Sequence, residues 1–118
     1  MAKILVIDDE PSIINLISAY LKAEGYEIHT ATDAAEALAI LKRGTPIDIL
    51  FTDIVMPNGM NGIELAREAR QLRPEIRVLL ASGYSRERLE ARDDMAFIAK
   101  PYKMADLARH LEAITTTR

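Results

Sequence analysis

The sequence predicts an α/β domain in which helices cover both faces of a doubly wound, five-stranded parallel sheet. Short apolar runs without polar alternation recur along the chain, and such runs are typical of strands buried on both faces. Between them lie segments with apolar residues at three- or four-residue spacing, which is typical of amphipathic helices. The 118 residues suffice for one hydrophobic core, so we expect residues 1–118 to form a single domain.

The two kinds of element alternate along the whole chain. We predict strands over residues 3–7, 26–30, 48–52, 76–81 and 95–99, the second of them at an edge because its apolar alternation is loose. Cap, stop or proline residues mark the helix boundaries, namely Pro11 and Gly25 for the first helix, Asp33 and Gly44 for the second, and Asn61 and Pro74 for the third. A short polar helix over 85–93 and an apolar-striped helix over 104–114 bring the number of predicted helices to five.

Composition excludes several classes of function. The net charge of -3 argues against a domain that holds nucleic acid through its own phosphate contacts. The absence of cysteine excludes disulfides, thiolate metal sites and cysteine nucleophiles. The longest uninterrupted apolar run, residues 4–7, is too short to cross a membrane, and no secretory leader is recognisable. We therefore expect a cytoplasmic protein without direct contact to nucleic acid or membrane.

Chemically reactive side chains follow the predicted strands. Asp8 and Asp9 follow the first strand, Asp53 the third, Ser82 the fourth and Lys100 the fifth. Each has an ordinary alternative role as a helix cap, a turn former or a solvated surface charge. In a parallel sheet, however, the carboxyl ends of neighbouring strands meet at one edge. Three carboxylates at that edge would repel one another unless Lys100 and a divalent ion such as Mg²⁺ balanced their charge.

Five features of the sequence resemble the response-regulator receiver domains of two-component signalling, and the resemblance covers essentially the whole chain. They are ILVIDDE (residues 4–10), TDIVMP (52–57), Gly62, ASGY (81–84) and FIAKP (97–101). The resemblance implies a flavodoxin-like sheet with strand order 2-1-3-4-5. It also implies a signalling domain that assists its own phosphorylation and dephosphorylation and is not an enzyme.

The resemblance gives the strand-end residues specific roles. Asp53 is the expected phosphoacceptor, which takes a phosphoryl group from a phosphohistidine and forms an acyl phosphate. Asp9 directly and Asp8 through water would hold Mg²⁺, together with Asp53 and the backbone carbonyl of Val55. Lys100 would contact the phosphoryl oxygens and balance charge in the transition state.

The resemblance also implies a switch and two kinds of partner. Pro101 corresponds to the family's cis-proline, Ser82 to the hydroxyl that bonds an attached phosphoryl group, and Phe97 to the aromatic that then turns inward. These changes would alter the surface formed by the fourth helix, fifth strand and last helix, where a downstream protein would bind. The phosphoryl donor would be a histidine kinase or a histidine phosphotransfer domain, and the domain would be a monomer or a phosphorylation-dependent dimer.

Two departures from the family pattern stand out. The loop MPNGMNG (residues 56–62) is one residue longer than usual and has Asn61 in place of an aspartate, although asparagine caps a helix equally well. Phe97 lacks the hydroxyl of the more usual tyrosine, so its two positions would differ mainly in apolar burial. Bulk at Val55 and Tyr84 predicts slow hydrolysis of the acyl phosphate, with ordinary packing as the alternative.

Other functional classes fit the sequence less well. A flavin site would need a Ser/Thr/Gly-rich loop after the first strand, where this chain has acidic residues. An aspartyl phosphohydrolase would need a cap for its substrate, and a docking module that never takes phosphate would not need the intact acidic set with Lys100. His29 and His110 are expected at the surface. No second domain is recognisable after Ile114, so we expect a stand-alone regulator or one receiver of a longer hybrid kinase.

Overall fold

The computed structural model describes residues 2–56, 60–83 and 95–116, which form a single five-stranded sheet with helices on both faces. The elements in chain order are β1 (Lys3–Ile7), α1 (Pro11–Ala23), β2 (Glu27–Ala31), α2 (Ala34–Lys42), β3 (Ile49–Asp53), α3 (Gly62–Leu72), β4 (Arg77–Ser82), β5 (Ala96–Ala99) and a C-terminal helix (Met104–Thr116). The predicted polar helix over 85–93 lies outside the described residues. Within the described residues, no helix has the length and apolar character needed to cross a membrane.

All four strand pairings are parallel, and the strand order is β2-β1-β3-β4-β5. This order confirms the predicted doubly wound fold and the edge position of β2. The predicted ranges of β2, β3 and β4 were wrong by one residue, because each strand begins and ends one residue later than predicted. Pairing with the neighbouring strand fixes the carboxyl end: Ile7 pairs with Ala31, and Asp53 pairs with Ala81. The strand predicted over 95–99 begins one residue later, at Ala96.

The core has one layer on each face of the sheet, because successive side chains of a strand point to opposite faces. On β3, Leu50 packs with α2 and α3, whereas the neighbouring Ile49 packs with α1 and the C-terminal helix. Both side chains are fully buried. Strands covered on both faces in this way have no solvent-facing side, which explains why they lack polar alternation in the sequence.

Short-range hydrogen bonds define where the helices begin and end. Asp33 accepts a hydrogen bond from the backbone of Glu36, and α3 begins with a complete capping box between Asn61 and Glu64. Asn61 therefore caps as expected for the residue that replaces the family's aspartate. Gly25 and Gly44 follow α1 and α2 with φ of 100° and 86°, the left-handed conformation that favours glycine at a helix end.

Arg73 joins the end of α3 to the end of α2. Its guanidinium donates hydrogen bonds to the backbone carbonyls of Leu41, at 2.8 Å, and Thr45, at 2.7 Å. The Leu41 carbonyl also accepts the N–H of Gly44 at 3.1 Å, so the guanidinium adds a second hydrogen bond there and reaches the loop after α2 at Thr45. The contact ties together the two helices on one face of the sheet.

Candidate functional site

Three carboxylates lie together at the carboxyl edge of the sheet. Asp8 and Asp9 follow β1, and Asp53 is the last residue of the adjacent strand β3. One carboxylate oxygen from each lies within 4.8 Å of the other two. Asp8 and Asp53 are buried, with 7% and 8% of their surface exposed, whereas Asp9 is exposed. The acidic crevice predicted from the strand ends is therefore present.

The surroundings of Asp8 disfavour the ionised form of its carboxyl group. Burial raises its pKa from 3.8 to about 6; the backbone N–H of Glu10 opposes this rise, and the negative charge of Asp53 adds to it. The Glu10 N–H donates to Oδ1 of Asp8 at 2.9 Å. Glu10 is also the N-cap residue of α1, but its side chain makes no capping hydrogen bond. The Glu10 side chain therefore does not cap α1, and helix capping by this residue does not explain why the segment after β1 is acidic.

Lys100 supplies a positive charge to the cluster from the end of β5. Its Nζ lies 2.7 Å from Oδ1 of Asp53, and its backbone N–H donates to the carbonyl of Ser82 at 2.9 Å. The Lys100–Pro101 peptide bond is cis, as expected from the resemblance. Three carboxylates and one ammonium leave two negative charges among these four side chains. This donor set of clustered carboxylate oxygens is of the kind that hard divalent cations bind.

The backbone of Asp53 is packed closely against the start of α3. The Thr52 hydroxyl, which is fully buried, donates to the carbonyl of Asp53 at 3.0 Å. The N–H of Gly62 donates to the carbonyl of Ile54 at 2.7 Å. A Cβ atom at Gly62 would lie 2.0 Å from the carbonyl oxygen of Asp53, so only glycine fits there. Gly62 therefore allows α3 to begin directly beside the phosphoacceptor candidate.

The remaining predicted residues lie around this cluster. Ser82 is the last residue of β4, is buried, and pairs with Ala99 of β5. Phe97 lies in β5, half-buried against the core layer that contains α2 and α3. The Val55 side chain, two residues beyond Asp53, is 66% exposed. Tyr84, the other residue expected to impede hydrolysis, lies outside the described residues.

The two histidines make local contacts. Nε2 of His29 lies 2.8 Å from a carboxylate oxygen of Glu27 on the same strand. Nδ1 of His110 lies 2.8 Å from the backbone carbonyl of Asp106, one turn earlier in the C-terminal helix. Neither histidine belongs to the acidic cluster.

Tyr102 is a site residue that the sequence did not single out. Its ring packs edge-to-face against the ring of Phe51, with 6.0 Å between centroids and 69° between planes. Burial raises the pKa of its phenol, and the charges of Asp53 and then Asp8 raise it further. The available signal was an aromatic residue directly after the Lys100–Pro101 pair, but the same pattern also fits an ordinary core residue.

The family model of the response regulator receiver domain matches residues 4–112. The chain therefore belongs to the receiver-domain family of two-component signalling systems, and the resemblance noted from the sequence motifs is confirmed. The matched region contains all of the acidic cluster and Lys100.

Individual relatives agree with this assignment. The response regulator receiver protein CpdR of Brucella abortus is 31% identical over 95% of each chain. The sensor kinase CckA of the same organism is 34% identical over 91% of this chain, which spans only 12% of that kinase. Among solved structures, a receiver domain protein from Clostridium thermocellum matches with a TM-score of 0.87 and 30% identity, covering 98% of this chain and 95% of the other. The receiver domain of the hybrid histidine kinase CckA matches with a TM-score of 0.81 and 31% identity, covering 95% and 97% of the two chains.

Proposed function

We propose that Asp53 is the phosphoacceptor and that its donor is the phosphohistidine of a histidine kinase or of a histidine phosphotransfer domain. One carboxylate oxygen of Asp53 attacks phosphorus while the phosphorus–nitrogen bond breaks. The imidazole leaves with the electron pair of that bond and takes up a proton, and Asp53 becomes an acyl phosphate. The observation that carries this proposal is the buried carboxylate of Asp53, paired with Lys100 at 2.7 Å within a cluster of acidic side chains.

Lys100 would stabilise the transferring group by its charge. Its ammonium lies beside the carboxylate oxygen of Asp53, so it can also contact an oxygen of a phosphoryl group arriving there. Asp8, Asp9 and Asp53, with the Val55 carbonyl, would hold Mg²⁺, which when bound neutralises negative charge on the phosphoryl oxygens. Burial raises the pKa of Asp8, and the negative charge of Asp53 raises it further, so a cation bound among these carboxylates would favour the ionised form.

Ser82 and Phe97 would convert phosphorylation into a change of surface. Ser82 is buried at the end of β4, next to the strand that carries Asp53, and its hydroxyl would bond an attached phosphoryl oxygen. Phe97 is half-buried and has apolar surface left to bury, which supports an inward movement. The surface altered would be that of the predicted polar helix over 85–93, β5 and the C-terminal helix, where a downstream protein would bind.

The proposed cellular setting follows from the same chemistry. With a phosphohistidine donor, the domain would act in the cytoplasm, as a monomer or as a dimer formed on phosphorylation. It would assist its own phosphorylation and dephosphorylation without turning over a substrate as an enzyme does.

Incubation with acetyl phosphate and Mg²⁺ tests this function. Intact-protein mass spectrometry should show one phosphoryl group on the wild-type chain and none on Asp53→Asn, while Asp106→Asn, a change on the C-terminal helix, should behave as wild type. The modification should survive acid and be lost in alkali, as an acyl phosphate is. Phosphorylation of Asp53→Asn to the wild-type extent would overturn the acceptor assignment. Multiple turnovers of a phosphomonoester would instead indicate a phosphohydrolase.

A further inference from the structure

The segment that carries Lys100 is anchored on both sides of the lysine. Before it, the Lys100 N–H donates to the carbonyl of Ser82 at 2.9 Å. After it, the chain passes through the exposed Pro101 and returns to the core at Tyr102, whose ring contacts the buried Phe51. Lys100 therefore lies between a backbone hydrogen bond to β4 and an aromatic contact to β3.

The second anchor lies on the strand that also carries the partner of the lysine. Phe51 and Asp53 are two residues apart on β3, so their side chains lie on the same face of the sheet. Tyr102 contacts the first of them, and Lys100 contacts the second at 2.7 Å. Lys100 and Tyr102 therefore contact two residues on the same face of one strand.

The ion pair by itself is weakly constrained. The Lys100 side chain is 42% exposed, and a half-exposed lysine pair contributes little free energy because water and side-chain entropy oppose it. Core packing does not hold the ammonium in place, so its position depends on how the backbone of the segment is fixed.

The Tyr102 phenol interacts electrostatically with the acidic cluster. Burial raises its pKa, and the charges of Asp53 and then Asp8 raise it further. The geometry agrees, because Tyr102 contacts Phe51 on the face of β3 that also carries Asp53.

We propose that Tyr102 is a positioning residue that holds Lys100 against Asp53 through its ring contact with Phe51. This inference rests on the proposed function, in which Lys100 contacts the transferring phosphoryl group. Losing the ring should slow phosphorylation without removing a reacting group, because the lysine remains present but is less well oriented.

Three variants test the proposal with acetyl phosphate and Mg²⁺. Tyr102→Leu keeps apolar volume but loses the ring, and its phosphorylation rate constant should fall about tenfold. Tyr102→Phe should retain the wild-type rate within about twofold, because the edge-to-face contact does not need the hydroxyl. Phe51→Leu removes the other ring and should reproduce the loss. Tyr20→Leu is the matched control, since Tyr20 is also half-buried against the same core layer.

A double-mutant comparison separates positioning from general stability. In a Lys100→Ala background, Tyr102→Leu should produce no further loss of rate, because the residue it positions is gone. An equal loss in both backgrounds would overturn the proposal, as would an unchanged rate in Tyr102→Leu or a tenfold loss in Tyr102→Phe. Denaturant melts show whether each variant is folded.

Nitrogen-15 NMR of the lysine ammonium groups tests the proposal without phosphate. The Lys100 resonance should move toward that of a solvent-exposed lysine in Tyr102→Leu and stay in place in Tyr102→Phe and Tyr20→Leu. A wild-type chain that takes no phosphoryl group would refute the proposed function, and this spectrum would still decide the role of Tyr102. A chain that is phosphorylated while Lys100 is undisturbed in Tyr102→Leu would refute only the positioning role.

Discussion

Replacing Asp8 with asparagine should stabilise the metal-free domain at neutral and alkaline pH. Asp8 is 7% exposed, and burial together with the charge of Asp53 raises its pKa from 3.8 to about 6. The folded domain therefore binds this proton more tightly than the unfolded chain does. Stability falls as pH rises from 3.8 to about 6, and the full penalty is present above that range.

The size of the effect follows from the pKa. At about 1.4 kcal/mol per pKa unit, the rise to about 6 corresponds to about 3 kcal/mol. Asparagine cannot ionise and still offers an oxygen to the Glu10 N–H, which Asp8 accepts at 2.9 Å. The amide must itself be desolvated, so we expect Asp8→Asn to gain about 2 kcal/mol, or about 8 °C in melting temperature.

Thermal melts in EDTA between pH 4 and pH 8 measure this gain. The difference between Asp8→Asn and wild type should be largest at pH 8 and should shrink toward zero as the pH approaches 4. Glu68→Gln, which removes an exposed charge outside the acidic cluster, should show no comparable gain. Adding Mg²⁺ should stabilise wild type more than the variant, so the gap should narrow. Equal or lower stability of Asp8→Asn at pH 8 would refute the electrostatic reasoning.

Three further predictions concern neighbouring features. Arg73→Ala should lower the free energy of unfolding by about 2 kcal/mol in denaturant melts, because the carbonyls of Leu41, in α2, and Thr45, in the loop after it, lose a charged donor. An unchanged midpoint would show that water replaces the guanidinium. Gly62→Ala should slow phosphorylation by acetyl phosphate about 100-fold, because its Cβ would lie 2.0 Å from the Asp53 carbonyl oxygen and the backbone must shift; a wild-type rate would contradict this. Val55→Ala should speed loss of phosphate from the purified phosphoprotein several-fold, because a smaller side chain lets water approach the acyl phosphate. Leu72→Ala, which changes another exposed apolar residue, should leave the rate of phosphate loss unchanged.

Much of the site could be predicted because the carboxyl ends of neighbouring parallel strands lie at the same edge of the sheet. Asp8, Asp53 and Lys100 each follow or end a recognisable apolar run, so the fold alone brings them to one edge. The strand boundaries shifted by one residue because pairing across the sheet, such as Asp53 with Ala81, decides where a strand stops. That pairing is a property of two segments and is not visible in either one alone.

Other features depend on distances that no sequence pattern contains. Gly62 is part of the family resemblance, but the 2.0 Å approach of a Cβ there to the Asp53 carbonyl arises only when α3 packs beside β3. Tyr102 follows a proline and looks like a core residue, and its contact with Phe51 appears only in three dimensions. Both residues act through the backbone near the site, whereas motifs identify the side chains that carry the chemistry.

The most direct test of the central claim is chemical mapping of the phosphorylated residue. The domain is phosphorylated with acetyl phosphate and Mg²⁺ and then treated with borohydride, which reduces an aspartyl phosphate to homoserine. Peptide mass spectrometry should find homoserine at position 53 alone, and at no position in Asp53→Asn treated in parallel. Homoserine at Asp8 or Asp9, or a phosphoryl group on a residue that borohydride does not reduce, would contradict the assignment of Asp53 as the phosphoacceptor.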